Sequence, residues 1–485
     1  MVKIRRKIGV SAAVKYSGGV EIYRLSTGFL LNFLLAYLFT KEDFGLIAIL
    51  LVIGEIFFSI SNMGMGEALI QRSYLNRRYL NAAFWGNFVI AFVGFFILIF
   101  CAPYIASFFN SERMVWPLRG YACIFLIRIL GIVPNAWCEK NFRFDIIAKL
   151  SFIAITLRIV IVLLCAWKGL GINSIVFGDL IYHIIISLGI YLFVTFRPRL
   201  KYFNFQSFTE LFQFGNKLLI ANLFAITSQK ADVFIIGKFV STIKLGVYSF
   251  AYMLTITIPS LVNNIVQKVF FPRFSLIKDD KKILCQEYLK ITEFIAYVSL
   301  PVSVGIWCVV DIFLTIFYGN KWDEAVYLIK ILCFYSITNS LGGVLWGQVL
   351  KALGMSSLVL KMTFLQVIAL ILTVSIGVVC NGIVGVAYAM VGYGIIFRFV
   401  YQAIVNKKIS MRMIEYLRSI YTPIWVNIVL GSILYIQKNV LWNFIDNQFM
   451  ILLILVILGI CQYIMILFLV NRGLLIQVSK FIFKR

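Results

Sequence analysis

The sequence predicts an all-α integral membrane protein of about fourteen transmembrane helices: two six-helix lobes in parallel pseudo-repeat plus two C-terminal helices. Three observations carry that expectation. The 485 residues are 62% hydrophobic and only 13% charged, with a mean hydropathy of +0.95, whereas soluble domains are nearer half apolar and a quarter charged. The apolar residues fall into fourteen stretches, each near the ~20 residues that cross a bilayer as a helix. Strand-like alternation is lacking, so helices and not a barrel satisfy the backbone. Third, the basic residues between stretches crowd into alternate gaps.

In chain order the spans run 17–39, 44–65, 81–101, 115–137, 145–167, 173–196, 209–237, 243–269, 288–314, 323–350, 357–380, 383–405, 419–436 and 449–470. The two longest are expected to tilt or to carry amphipathic ends. One set of gaps holds Lys3 to Lys15, Arg72 to Arg78, Lys140 to Lys149, Arg197 to Lys201, Lys268 to Lys290, Lys351 with Lys361, Lys407 to Arg418, and Arg472 to Arg485. That set contains thirty Lys and Arg; the other gaps hold only seven (Lys41, Arg113, Lys168, Lys238, Lys244, Lys321 and Lys438). The imbalance places both termini in the cytoplasm and fits an even number of spans. Every external loop is short, which leaves no room for an external domain. The basic start Met1–Lys7 is not followed by a short apolar run and a small-residue cleavage site, so no signal peptide is expected.

The net charge of +25 follows from the cytoplasmic loops; without a basic domain outside the bilayer, nucleic-acid binding is not expected. Nine cysteines form no CxxC pair. They read as small apolar residues, and no metal site or disulfide framework is expected.

Shifting the first half by 201 positions lays Thr40-Lys41-Glu42-Asp43-Phe44-Gly45-Leu46 over Ser241-Thr242-Ile243-Lys244-Leu245-Gly246-Val247. The same shift lays Asn62 over Asn263 and Arg72 over Arg273. Six spans precede the second copy, an even number, so the halves run in the same sense, an arrangement that transporters use around a central site. The expected organisation is a cytoplasmic segment 1–16, an N-lobe 17–201, a C-lobe 202–412, two further spans in 413–470, and a cytoplasmic amphipathic tail 471–485.

The same segments carry a resemblance. Gly19–Leu50 (GVEIYRLSTGFLLNFLLAYLFTKEDFGLIAIL), Asp232–Tyr252 (DVFIIGKFVSTIKLGVYSFAY), Val269–Leu276 (VFFPRFSL) and Phe317–Leu332 (FYGNKWDEAVYLIKIL) resemble, in order and spacing, polysaccharide flippases of the MOP superfamily. The branch they are most similar to exports colanic acid, teichuronic acid and related precursors. The resemblance implies a V-shaped, MATE-like transporter whose central cavity opens to either side in turn. It implies a cargo, a polyprenyl-diphosphate-linked oligosaccharide moved to the outer leaflet for surface polysaccharide biosynthesis. It also implies membrane lipid, a polymerase and chain-length regulators as neighbours.

A charge at mid-bilayer costs about 2.5–3.5 kcal/mol on insertion scales. Arg24, Arg128 and Arg158 lie near the middle of spans 1, 4 and 5, and Lys217 lies within span 7. These four are the expected cargo-binding cations, because guanidinium forks and ammonium groups match phosphate oxygens. The competing reading is pairing: Glu21 stands three residues before Arg24, and Glu55, Asp179 and Asp232 could each satisfy a cation. Glu55, Asp179 and His183 are the candidates for ion coupling, His183 because it titrates near neutrality four residues after Asp179. No cofactor is expected beyond a transmembrane ion gradient, and no catalytic residue. Two other functions compete: an antiporter of drugs or organic cations on the same fold, which needs an acidic cavity, and a membrane polysaccharide polymerase or glycosyltransferase. The latter needs external carboxylates or histidines on a sizeable loop, where this chain offers only Glu42 and Asp43 in a short turn.

The charge pattern makes a direct prediction. Alkaline phosphatase fused after Lys168 becomes active outside the cell, whereas the same reporter after Arg199 stays inactive; the opposite result reverses the topology.

Overall fold

The computed structural model describes residues 10–72, 74–341 and 345–470. The expected tail 471–485 lies outside these residues, as does most of the segment 1–16. Among the described residues there are fifteen α-helices and no strand.

The chain divides into two compact units, one ending at Gly246 and the other starting at Val247. The first contains α1 (Val10–Leu38), α2 (Lys41–Asn62), α3 (Met65–Gln71), α4 (Arg77–Phe108), α5 (Val115–Lys140), α6 (Phe144–Trp167), α7 (Asn173–Gly189) and α8 (Phe205–Phe239), with the opening turn of α9 (Thr242–Leu276). The second contains the rest of α9, α10 (Lys281–Tyr318), α11 (Asp323–Ser340), α12 (Leu345–Ala352), α13 (Ser356–Ile409), α14 (Met413–Phe444) and α15 (Gln448–Val470). Two of the fifteen helices, α3 and α12, are short continuations of the helix before them. One, α13, reverses at Asn381 and Gly382, where Gly382 adopts φ +52°. The long helices therefore make fourteen crossings, in the expected order. Ten helical stretches are apolar and long enough to cross a membrane; two of them run through two crossings each, and α1 and α9 supply the rest.

Caps explain where several helices begin. Thr40 and Asp43 form a reciprocal capping box on α2, Asn76 accepts from the Tyr79 amide at 2.9 Å on α4, and Asn204 and Asp280 do the same for α8 and α10. Each satisfies amides that have no partner within the helix. The second span, expected over 44–65, ends as α2 at Asn62. Met63 and Gly64 take left-handed φ values of 43° and 64°, which separates α2 from the short α3. Lys140 caps the other end of α3 by donating from Nζ to the carbonyls of Leu69 (3.3 Å), Ile70 (3.0 Å) and Arg72. The tenth span is likewise divided into α11 and α12; Arg398 caps α11 by donating to the carbonyls of Thr338 (2.9 Å) and Asn339 (3.4 Å).

Glycine sets how closely the helices of the first unit approach. A Cβ on Gly178 of α7 would overlap Val162 of α6, and one on Gly120 of α5 would overlap Val176 of α7. Gly131 of α5 lies against Ser187, where an added Cβ would stand 2.7 Å from Oγ. Without such residues the backbones of α5, α6 and α7 could not come this near, and van der Waals packing is the main attraction between helices in lipid.

The shift of 201 positions has a structural counterpart. A Cβ on Gly45 would overlap the carbonyl oxygen of Thr242, and a Cβ on Gly246 would overlap that of Lys41. Residues 41 and 242, like 45 and 246, are 201 apart, so each glycine meets the carbonyl that corresponds to the one its own counterpart meets. Such reciprocity is the mark of a local two-fold relation between equivalent turns, and it supports the repeat in the register read from the sequence.

In the second unit, Trp322 is fully buried and stacks on Phe250 with ring centroids 4.1 Å apart. The α13 reversal closes because Gly377 and Gly385 face each other's backbone without a Cβ. Near the Lys438 end of α14, Asp311 of α10 accepts from Lys438 (2.5 Å) and Lys330 of α11 (3.4 Å).

Gly246→Val is expected to lower stability by about 3 kcal/mol or more, because a backbone carbonyl cannot yield as a side chain can. Gly392→Ala, where an added Cβ meets nothing, should stay within about 0.5 kcal/mol of the parent. Thermal melting of the purified protein in detergent distinguishes the two outcomes.

Candidate functional site

The helical period places the polar residues of the first unit on converging faces. Tyr121, Arg128 and Asn135 recur at intervals of seven on α5, and Asp179, Tyr182, His183 and Ile186 follow at i, i+3, i+4 and i+7 on α7. Arg24, Thr27 and Gly28 share one face of α1, which docks on α6 through a 2.8 Å hydrogen bond between the Tyr23 and Thr156 hydroxyls. Ring packing of Tyr23 on Phe152 at 4.6 Å adds to that contact.

These faces enclose a cavity of about 450 Å³ within the first unit. Its walls include Arg24, Arg128, Arg158, Asp179, His183 and, from α2, Phe58. A second cavity of about 350 Å³ shares Arg24, Asn135, Tyr182 and Ile186 with it and continues past Glu21 and Glu139, toward the helix ends that carry Lys140 and Arg143. The larger cavity thus gathers five of the seven site residues expected from sequence, contributed by α1, α5, α6 and α7. Lys217, exposed on α8, and Glu55, exposed on α2, lie outside its walls. Glu55 is nevertheless within electrostatic reach of Arg128.

The three arginines are held differently. Arg24 forms an ion pair with Glu21 one turn earlier and stays half exposed. Arg158 donates from Nε to Oδ1 of Asp179 at 2.5 Å, and the Tyr121 hydroxyl donates to Oδ2 of the same carboxylate at 2.5 Å. Arg128 forms no ion pair among the described residues; its guanidinium lies over the ring of Phe58, 3.0 Å from the centroid, where the π face attracts a cation without neutralising it. Three guanidinium groups therefore face one carboxylate in the cavity wall, a surplus of positive charge at a depth where charge is costly. Its volume falls in the range of ordinary ligand sites, which is about 300–1,000 Å³. His183 stands edge-on to Tyr182 with ring centroids 5.0 Å apart. The Asp179 carboxylate that sequence spacing offered to His183 is taken up by Arg158 and Tyr121.

Sequence reasoning missed three residues. Tyr121, the second partner of Asp179, read as one aromatic among many. Phe58, which carries Arg128, gave no signal, because cation–π geometry depends on two helices meeting. Arg398 was overlooked among the cations inside spans, although its charge within an apolar run is visible; the structure spends it on the α11 carbonyls.

The Arg158–Asp179 pair is testable by a double-mutant cycle. Arg158→Gln should cost about 2 kcal/mol by leaving a half-buried carboxylate short of a partner. The double variant with Asp179→Asn should recover most of that loss in thermal melting; strictly additive losses would mean the two groups are not coupled.

Comparison with known proteins places this geometry in context. A family profile described as "Polysaccharide biosynthesis protein" matches residues 34–327. The chain is 26% identical over 378 residues to the teichuronic acid biosynthesis protein TuaB of Bacillus subtilis (strain 168), covering 77% of each. It is 20% identical over 420 residues to the lipopolysaccharide biosynthesis protein WzxC of Escherichia coli (strain K12), covering 86% of this chain and 85% of that relative. Among solved structures it is similar to the lipid II flippase MurJ in its inward closed conformation, with a TM-score of 0.72 at 16% identity, over 95% of this chain and 100% of that one. An inward-facing MATE multidrug resistance transporter of the MOP superfamily gives a TM-score of 0.62 at 14% identity, over 79% and 94% of the two chains. At these identities the likeness is one of fold: the chain has the MATE-like, multi-pass membrane transporter architecture.

Proposed function

The chain belongs to the polysaccharide biosynthesis protein family, and from that premise we propose that it flips a polyprenyl-diphosphate-linked oligosaccharide across the cytoplasmic membrane by alternating access. The observation that carries this reading is the cavity with three arginines and one aspartate in its wall. A disubstituted diphosphate carries two negative charges and several acceptor oxygens. Arg128, free of any carboxylate among the described residues, offers it forked donors at once. Arg24 and Arg158 add charge from the two flanking helices, and Asn135, Tyr182 and His183 supply polar contacts suited to a sugar. Relatives named for teichuronic acid and lipopolysaccharide biosynthesis fit such a cargo.

The cations replace part of the hydration that the diphosphate loses on entering the cavity. Binding has to remain weak enough for the cargo to leave, which partial occupation of the arginines by Glu21 and Asp179 provides. The protein acts as a transporter with no covalent step, both termini lie in the cytoplasm, and the two six-span lobes 17–201 and 202–412 are its moving parts. Polymerase and chain-length regulators would receive the product. Export of organic cations is disfavoured by the basic wall. Of the ion-coupling candidates, Asp179 and His183 lie within electrostatic reach of the arginines that meet the cargo, whereas Glu55 acts from outside the cavity.

Deleting the gene should leave lipid-linked oligosaccharide on the inner leaflet, and the wild-type chain should restore its export. Arg128→Ala should restore at most about one tenth of it, as loss of a charge-assisted contact worth about 1.5–3 kcal/mol implies, with normal protein levels in the membrane. Full export by Arg128→Ala would remove the cavity from the reading.

A further inference from the structure

The arginine that faces Asp179 is already occupied, and by a group chemically similar to what the cavity is built to receive. One carboxylate uses both of its oxygens: Oδ1 on Arg158 Nε and Oδ2 on the Tyr121 hydroxyl, each at 2.5 Å. It reaches them because Gly178, next to it in the chain, lets α7 close on α6 at Val162 and on the Arg158 backbone carbonyl. The site is therefore shaped around the pair. We propose that Asp179 is an internal stand-in for the anionic group of the cargo: it holds Arg158 while the cavity is empty and gives it up when a phosphate arrives. The inference rests on the proposed function above and adds to it the residue that sets how tightly the cargo binds.

The exchange is a swap of ion-pair partners. Before it, Arg158 carries its positive charge against the Asp179 carboxylate. After it, the same guanidinium faces a phosphate oxygen, and Asp179 is left at membrane depth with only the Tyr121 hydroxyl as donor. A carboxylate so placed takes up a proton from bulk solvent, relayed through the cavity water; the proton adds to the free oxygen, no bond to phosphorus forms or breaks, and no hydroxide is left behind. The charged and titratable groups around Asp179 are Tyr121 and Arg128 from α5, Arg158 from α6, and Tyr182 and His183 from α7. Arg24 of α1 shares the cavity wall, and Glu55 of α2 acts through its interaction with Arg128. A proton that enters with the cargo and leaves with it outside moves against an inward gradient. The swap therefore draws no energy from that gradient; its effect is to keep binding reversible and to favour strong anions over weak ones.

The probe is a synthetic short-chain prenyl-diphospho-glucose, whose phosphates are both esterified and hold two fixed charges. It is titrated by calorimetry into the full-length protein in nanodiscs. Asp179→Asn should bind roughly tenfold to a hundredfold tighter than wild type at about pH 7.5, and the gap should shrink toward about pH 5.5, because wild-type binding takes up a proton that the variant does not need. In wild type, measurements in two buffers of different ionisation enthalpy should show uptake approaching one proton per ligand. This arm needs no variant and stands even if Asp179→Asn fails to fold. Equal affinity of variant and wild type, or no proton uptake by wild type, overturns the stand-in role and leaves the flippase reading intact. Absence of binding by wild type and variant alike overturns both.

Discussion

Everything distinctive in the first unit depends on how near α5, α6 and α7 come to one another. Gly120, Gly131 and Gly178 remove the Cβ atoms that would hold these helices apart. The gap that results is short enough for Asp179 to span both Arg158 and Tyr121. Lipid gives a charged side chain no other way to be satisfied, so close packing and the ion pair require each other. Without the glycines the charges would have to snorkel toward the interface, and without the pair the helices would carry an unmatched charge at their contact. The cavity is what remains beside this contact once Arg24 and Arg128 have turned into the same space.

The two halves spend the cations of their helices differently. In the first, Arg128 rests on an aromatic ring and keeps its charge. In the second, Lys330 and Lys438 converge on Asp311, and Arg398 is used on the open carbonyls of α11. A helix broken inside a membrane exposes acceptors that must be met, and Arg398 meets them with a cation. Cations on long apolar helices thus serve either the backbone or the cavity, according to whether the neighbouring helix is broken.

Much of the fold was legible in the sequence. Spans follow from apolar length and the repeat from Phe44-Gly45 over Leu245-Gly246, because these signals are local in the chain. The convergence of Arg24, Arg128 and Arg158 was also legible in outline, since an arginine in an apolar span has few reasons to be there. Less visible was which partner each one takes. Tyr121 and Asp179 are 58 positions apart, and nothing local marks them as a pair. The break after Ser340 was hidden for the same reason: the expected span 323–350 runs straight through it, and the cation that caps α11 there, Arg398, comes from another helix.

The reciprocal crossing of Gly45 and Gly246 bears on ancestry. Where each of two equivalent residues meets the other's counterpart, the contact has the form of a subunit interface between identical chains. A six-span ancestor that paired with itself through this turn would have needed only one glycine codon to permit the contact. After duplication and fusion the same contact depends on two, each free to mutate and neither dispensable. The fused gene gained in exchange what an identical pair could never have, two halves whose cavities are free to take different linings.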